Sequence, residues 1–199
     1  MATNPNSPFG FKFIKMIDGT SATYGLRKFY LATGNTSKIF RGDPIKVPVA
    51  GVVDVATSTS TAIAGIFESF EWTSIAEQKV VRRNWWNGAG DAVSGTTVTA
   101  YGYSNPGSIF EVQCILGPIT AANISQFATF NAGSGGTQIG AGNQSSYTLD
   151  TAGMSDTQGT LIFRIYDLPT QNALFTTSGY DPANAYNRVW VTMASLSPE

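Results

Sequence analysis

A few groups of residues have the types from which chemistry is built. Glu68 and Glu71 are the closest pair of glutamates. Glycosidases hold two carboxylates about 5–10 Å apart across a sugar. On a strand, residues three apart point to opposite faces, so this pair reads better as a polar rim around Phe70 and Trp72. Asp150 and Asp156 flank a loop of Gly, Ser and Thr but lack the DxDxDG pattern of a calcium loop, and a surface turn is expected there. The densest run is Arg82-Arg83-Asn84-Trp85-Trp86. Two guanidiniums beside two indoles can stack bases, bind a sugar or anchor a protein interface. The same tryptophans can instead close one end of a barrel. Cys114 shares a predicted face with Phe110 and Val112 and reads as a buried small apolar residue.

Other motifs fail on inspection. The segment GSGGTQIGAG invites a phosphate-loop reading, but a GxGxxG starting at Gly133 needs glycine where Gln138 stands, and GxxxxGK[ST] is absent. Asn35-Thr-Ser, Asn123-Ile-Ser and Asn143-Gln-Ser match the glycosylation sequon, as a chain rich in Asn, Ser and Thr does by coincidence.

Composition narrows the field further. The chain has no histidine, which removes Ser–His–Asp and Cys–His nucleophile systems, HExxH proteases and most zinc sites. One cysteine excludes an intrachain disulfide and any CxxC site. No metal or other cofactor is expected, and no enzymatic activity. Charged residues are 13% of the 199 and the net charge is −1, too little to imply a nucleic-acid or anionic-membrane partner. No apolar run approaches the ~18 residues of a membrane span, and MATNPNSPFG lacks the basic start and apolar stretch of a secretory signal.

The elements that must position these residues read as β. Ile45, Val47 and Val49 alternate with Lys46 and Pro48, the proline arguing for an edge or a bulge. Ile63 to Trp72 is apolar, with Phe70 and Trp72 on one face. Val98 to Tyr103 alternates. Phe110, Val112 and Cys114 oppose Glu111 and Gln113; Leu161, Phe163 and Ile165 oppose Arg164; Val189, Val191 and Met193 oppose Arg188 and Thr192. Turn signals stand between them at Gly42-Asp43-Pro44, Asn87-Gly88, Asn105-Pro106-Gly107 and Ser178-Gly179. A short helix is expected over Thr120 to Phe127, and a long loop or weak hairpin over residues 131–146. The pattern predicts an all-β chain, an antiparallel barrel or jelly-roll-like sandwich, with residues 12–199 as one β-rich domain.

Residues 1–11 read as an extended N-terminal arm. Pro5 and Pro8 disfavour helix and push Asn4 and Ser7 toward β or polyproline geometry. Phe9, Phe11 and Phe13 then alternate. Charge is uneven along the chain. Residues 1–46 hold seven Lys/Arg and two Asp, net +5; residues 47–199 hold five Lys/Arg and eleven Asp/Glu, net −6. Such asymmetry can orient a protein on a partner or on its own neighbours.

Several segments, in order, resemble a known family. The opening Asn4-Pro5-Asn6-Ser7-Pro8-Phe9-Gly10-Phe11 is similar to the start of the capsid decoration, or cement, proteins of tailed bacteriophages. Phe40-Arg41-Gly42-Asp43-Pro44-Ile45 resembles their F-x-GD-x-V strand, and Ala64-Gly65-Ile66-Phe67 their A-x-GV strand. Ile109-Phe110-Glu111-Val112-Gln113 resembles VFEIQ. Asn172 followed by Asn187-Arg188-Val189-Trp190-Val191 resembles the N…N-x-VLV ending, without the histidine of the family's last strand. Residues 72–108 are longer than the family pattern and carry the Arg/Trp run. The resemblance implies a β-rich protein on the outer surface of the virion head, bound in many copies. Its partners would be the major capsid protein and neighbouring copies of itself, and it would perform no reaction. On that reading the shell contact is the arm, Asn4, Pro5, Asn6, Ser7, Pro8, Phe9 and Phe11, with Phe9 and Phe11 as buried anchors. Arg82, Arg83, Trp85 and Trp86 form a second possible interface. The rival expectation is a carbohydrate-binding or host-recognition β-module using Trp72, Trp85 and Trp86.

Overall fold

The computed structural model describes residues 4–20, 25–32, 34–49, 51–132, 138–139, 142–169 and 185–196. The strands, in chain order, are β1 (Lys12–Met16), β2 (Leu26–Leu31), β3 (Ile39–Phe40), β4 (Pro44–Val49), β5 (Val52–Val55), β6 (Gly65–Thr73), β7 (Val80–Arg83) and β8 (Trp85–Trp86). They continue as β9 (Val98–Tyr103), β10 (Ser108–Gln113), β11 (Phe127–Asn131), β12 (Gln138–Ile139), β13 (Gly142–Asn143), β14 (Thr148–Ser155), β15 (Phe163–Asp167) and β16 (Arg188–Met193). The fold is all-β, as the alternation predicts.

Two sheets carry most of it. In the first, β4, β5, β2, β9 and β6 follow one another, and β4 pairs again with β6, so five strands close a barrel with β7 appended to β6. All its contacts are antiparallel except a short parallel one where Tyr30 of β2 meets Val52 of β5. Closure requires the β4–β6 crossing to be tight. Gly65 sits there, and any Cβ at this position would collide with the Tyr103 carbonyl. The irregularity expected at Pro48 is present as a register shift between Lys46 and Val49. In the second sheet the order is β1-β10-β16-β15-β11-β14. It curls until Leu149 of β14 bridges to Cys114, just past the end of β10.

Each sheet encloses its own core. Phe29, Phe67, Phe70, Trp72 and Trp86 fill the barrel. Phe11, Phe110, Phe130, Phe163 and Val191 fill the second sheet. The two are not independent. β6 sends Ile66 into the second core and Phe67 into the first, and Val55 packs against both. Tyr103, at the end of β9, stacks on Phe13 of β1 at 4.5 Å. Tyr147 Oη donates to the Ala56 carbonyl at 2.6 Å.

The helix expected over Thr120 to Phe127 does not form. Residues Ala121–Asn123 make one 3-10 turn, closed by Thr120 and Asn123, and Phe127 already begins β11. The apolar spacing there reflects a turn leading into a strand whose partners, β14 and β15, are far away in sequence. Part of the expected hairpin is present as β12 pairing with β13. The turn at Ser178-Gly179 and Asn172 lie outside the described residues.

Candidate functional site

The N-terminal segment lies along the protein's own surface. Gln113, at the end of β10, is only 1% exposed although it points away from the Phe110–Val112 core. Its Oε1 accepts Ser7 N at 3.0 Å, and its Nε2 donates to the Pro5 carbonyl at 2.7 Å and the Tyr186 carbonyl at 3.1 Å. Asn4 Nδ2 donates to the Ala185 carbonyl at 3.1 Å, Gln144 Nε2 to the Pro8 carbonyl at 3.0 Å, and Phe11 N to the Gly42 carbonyl at 2.9 Å. Gly10 makes the turn into β1 with φ of 73°, where a side chain would strike Ser145. Phe11 then enters the second core, 2% exposed, its ring 4.2 Å from that of Phe163.

This corrects the expectation that Phe11 is an anchor of the arm in the shell contact. Phe11 is a core residue of its own chain and Asn4 is buried. Pro5, Asn6 and Ser7 remain exposed, and Pro8 and Phe9 are half-buried. The Arg188 guanidinium lies over the Phe9 ring at 4.9 Å. The segment forms no helix, in keeping with its prolines, and it is docked.

A cleft of about 380 Å³ opens beside it, lined by Ser7, Phe9, Arg41, Asn84, Glu111 and Arg188. Two of its cations are neutralised. Arg41 forks onto Glu68, Nε to Oε2 at 2.9 Å and Nη2 to Oε1 at 2.8 Å. Arg188 Nη1 meets Glu111 Oε1 at 3.3 Å, and Lys12 stands opposite Glu111 in the β1–β10 register. Of the cations in residues 1–46, Arg41 is thus paired with a glutamate. Next to Gly42, Asp43 is buried; Phe40 N donates to its Oδ2 at 2.8 Å, while Oδ1 has no hydrogen-bond partner. Burial pushes this carboxyl up to about 7. The nearby Ser145 hydroxyl, which does not complete a bond to it, and the Phe40 N–H act the other way.

The Arg/Trp run is split by the fold. Trp85 and Trp86 pair with β3, placing Trp86 in the barrel, 1% exposed, with its Nε1 donating to the Asn35 carbonyl at 3.1 Å. Trp72 is 4% exposed and meets Trp86 edge-to-face at 5.5 Å. Trp86 and Trp72 are therefore core, which corrects both the interface role of Trp86 and the three-tryptophan sugar platform. Trp85 alone is half-buried, beside a hollow of about 180 Å³ lined also by Asn87 and Asp91. Hydrogen bonds from Ala76 N, Ser74 Oγ and Trp72 Nε1 hold the Asp91 carboxyl below its ordinary range, so Asp91 is a structural tie. Arg82 and Arg83 are exposed. Arg83 Nη2 pairs with Glu77 Oε1 at 2.6 Å, and Arg82 Nε donates to Ser69 Oγ at 3.0 Å.

The remaining candidates take structural places. A bulge between Phe67 and Ser69 resets the alternation of β6. Phe67, Phe70 and Trp72 all join the barrel core, so Glu68 and Glu71 both fall on the side away from it, not on opposite faces. Glu68 is committed to Arg41. Asp150 Oδ1 accepts Ala152 N at 3.0 Å, and Asp156 Oδ1 accepts Gln126 Nε2 at 3.0 Å. Cys114 is fully buried, and burial pushes its thiol up to about 12. Among the described residues no three His, Cys, Asp or Glu side chains cluster as metal ligands. No protein-family model, curated protein or solved structure matches the chain.

Proposed function

We propose that this protein is a capsid decoration protein of a tailed bacteriophage. It would bind in many copies to the outside of the assembled head and clamp neighbouring major capsid subunits without performing a reaction. The observation that carries the reading is spatial. The segments that resemble the decoration family are scattered over the sequence but meet at one place. Asn4–Phe11 is held by Gln113 of the IFEVQ strand. Gly42 of the FRGDP turn accepts from Phe11 N and donates to the carbonyl of Phe67, from the AGIF segment. Arg188 of the last strand pairs with Glu111 and covers Phe9. Val189 of that strand stands opposite Val112 in the β10–β16 register. Their adjacency supports the reading, because it lets these segments build one surface.

On this reading the capsid meets the exposed part of the segment, Pro5, Asn6 and Ser7, and the half-buried Phe9, together with the cleft rim at Lys12 and Arg41. Docking on its own domain orders the segment in advance, so little chain entropy is lost on binding. Each copy need contribute only modestly, because bridging several subunits at once raises the effective affinity, and binding only the assembled lattice stabilises it by mass action. The test is the copy number of this chain in purified particles, by gel densitometry against the major capsid protein. A simple fixed ratio to that subunit is expected. A handful of copies or none rejects the proposal.

A further inference from the structure

The outward side of the barrel, across β2, β9, β6 and β7, carries two cations, Lys28 and Arg82, that make no ion pair among the described residues. In the strand registers Lys28 stands opposite Tyr101, and Tyr101 opposite Ser69. One row along, Tyr30 stands opposite Thr99, Thr99 opposite Glu71, and Glu71 opposite Arg82. Lys28 and Arg82 are exposed, and Tyr30 is 54% exposed.

Arg82 has a carboxylate directly across from it and does not use it. It turns instead to the neighbouring row, where its Nε is tied to Ser69 Oγ at 3.0 Å and its guanidinium lies 4.6 Å from the centre of the Tyr101 ring. Lys28 Nζ approaches the same ring at 6.0 Å. Among the described residues neither cation makes an ion pair, whereas Arg41 and Arg83 each have a glutamate of their own. A guanidinium tied at Nε and held over a ring leaves its terminal nitrogens as a ready fork for a carboxylate. Holding it in place beforehand lowers the entropy lost on binding. Tyrosine and arginine are also the types that concentrate binding energy at protein interfaces.

We infer that this face docks a protein partner that presents carboxylates. Arg82 takes one carboxylate in a two-point contact, Lys28 takes a second on the other side of Tyr101, and Tyr30 supplies apolar contact. The surface uses none of the residues of the N-terminal segment, and the inference does not depend on the cement reading.

The test titrates the full chain with a short poly-L-glutamate at low salt, by calorimetry and by amide chemical shifts, with oligo(dT) of matched charge as the phosphate probe. Poly-L-glutamate is expected to bind and to shift amides of β2, β9 and β7. Arg82→Ala and Lys28→Ala should each weaken it at least tenfold, and Arg82→Lys, which keeps the charge but not the fork, by less. Lys15→Ala, on the other sheet, should leave it within twofold. The inference is overturned if Arg82→Ala binds like the wild type, if Lys15→Ala loses as much, or if oligo(dT) binds as tightly as poly-L-glutamate.

Discussion

Replacing Phe11 by alanine separates a docked segment from a free arm. Phe11 is 2% exposed and its ring stacks on Phe163 at 4.2 Å with an interplanar angle of 14°. Truncating a fully buried phenylalanine costs about 3–5 kcal/mol through lost transfer energy and the cavity left behind. For a chain of this length each kcal/mol lowers the melting temperature by roughly 2–4 °C, so a drop of about 6–20 °C is expected. Set against a total stability of about 5–15 kcal/mol, that removes between a fifth and all of it, a loss measurable by urea titration and calorimetry. Asn6→Ala and Ser7→Ala are the internal controls. Both residues are exposed and Ser7 is held through its backbone N–H, so each should change stability by no more than about 0.5 kcal/mol. A Phe11→Ala protein within about 1 kcal/mol of the wild type, at unchanged denaturant slope, would refute the docking of the segment into the core.

Three further outcomes follow from burial. Trp86→Ala should destabilise by about 3–5 kcal/mol, and Trp85→Ala by clearly less, since only Trp86 is enclosed; equal losses in thermal unfolding would contradict their placement. Asp43, with a folded value of about 7 against an ordinary 3.8, keeps a proton that the unfolded chain releases. Its contribution therefore favours folding at low pH, declines as pH rises from about 4 to about 7, and is flat above, with a ceiling of roughly 4 kcal/mol. The stability of Asp43→Asn relative to wild type should rise over that window, and a difference independent of pH in paired urea titrations would argue against a buried carboxyl. Cys114 should resist a thiol-specific reagent at pH 8 until the protein unfolds, because its thiol is both enclosed and raised to about 12; rapid labelling of native protein would place it at the surface.

Alternation made the strands legible. Val98–Tyr103 and the opposed sets at Phe110, Phe163 and Val189 lie where the period of two puts them. Three things escaped it. A bulge changes the phase of β6 without altering its composition, so the side on which Glu68 falls cannot be read from spacing. Glu111 and Gln113 have the pattern of a wet face yet are buried, Gln113 under a segment more than a hundred residues earlier and Glu111 against Arg188. The Arg/Trp run looks like one patch in sequence, but a two-residue pairing with β3 turns Trp86 inward, leaves Trp85 half-buried and leaves Arg82 outside. Of the cluster around Tyr101, only Arg82 was visible as a candidate. Its companions Lys28 and Tyr101 come from strands joined only by register.

The contacts of the N-terminal segment divide by chemistry in a way that bears on what it can do. From Asn4 to Pro8 they are hydrogen bonds, chiefly to Gln113, Gln144 and the Ala185 carbonyl. If this part lifts, water can replace its partners, and each exchanged hydrogen bond costs only about 0.5–1.5 kcal/mol net. From Phe11 onward the contacts are apolar and enclosed, and no solvent can substitute for them. Gly10 marks the boundary, the one position where a turn of positive φ is wedged against Ser145. The segment is thus a strap pinned firmly at one end and fastened by exchangeable bonds along the rest. A partner that offers its own donors and acceptors to Asn4–Pro8 competes with hydrogen bonds of the same kind. It therefore need supply only a small surplus to capture the strap, while Phe11 keeps it attached to the fold.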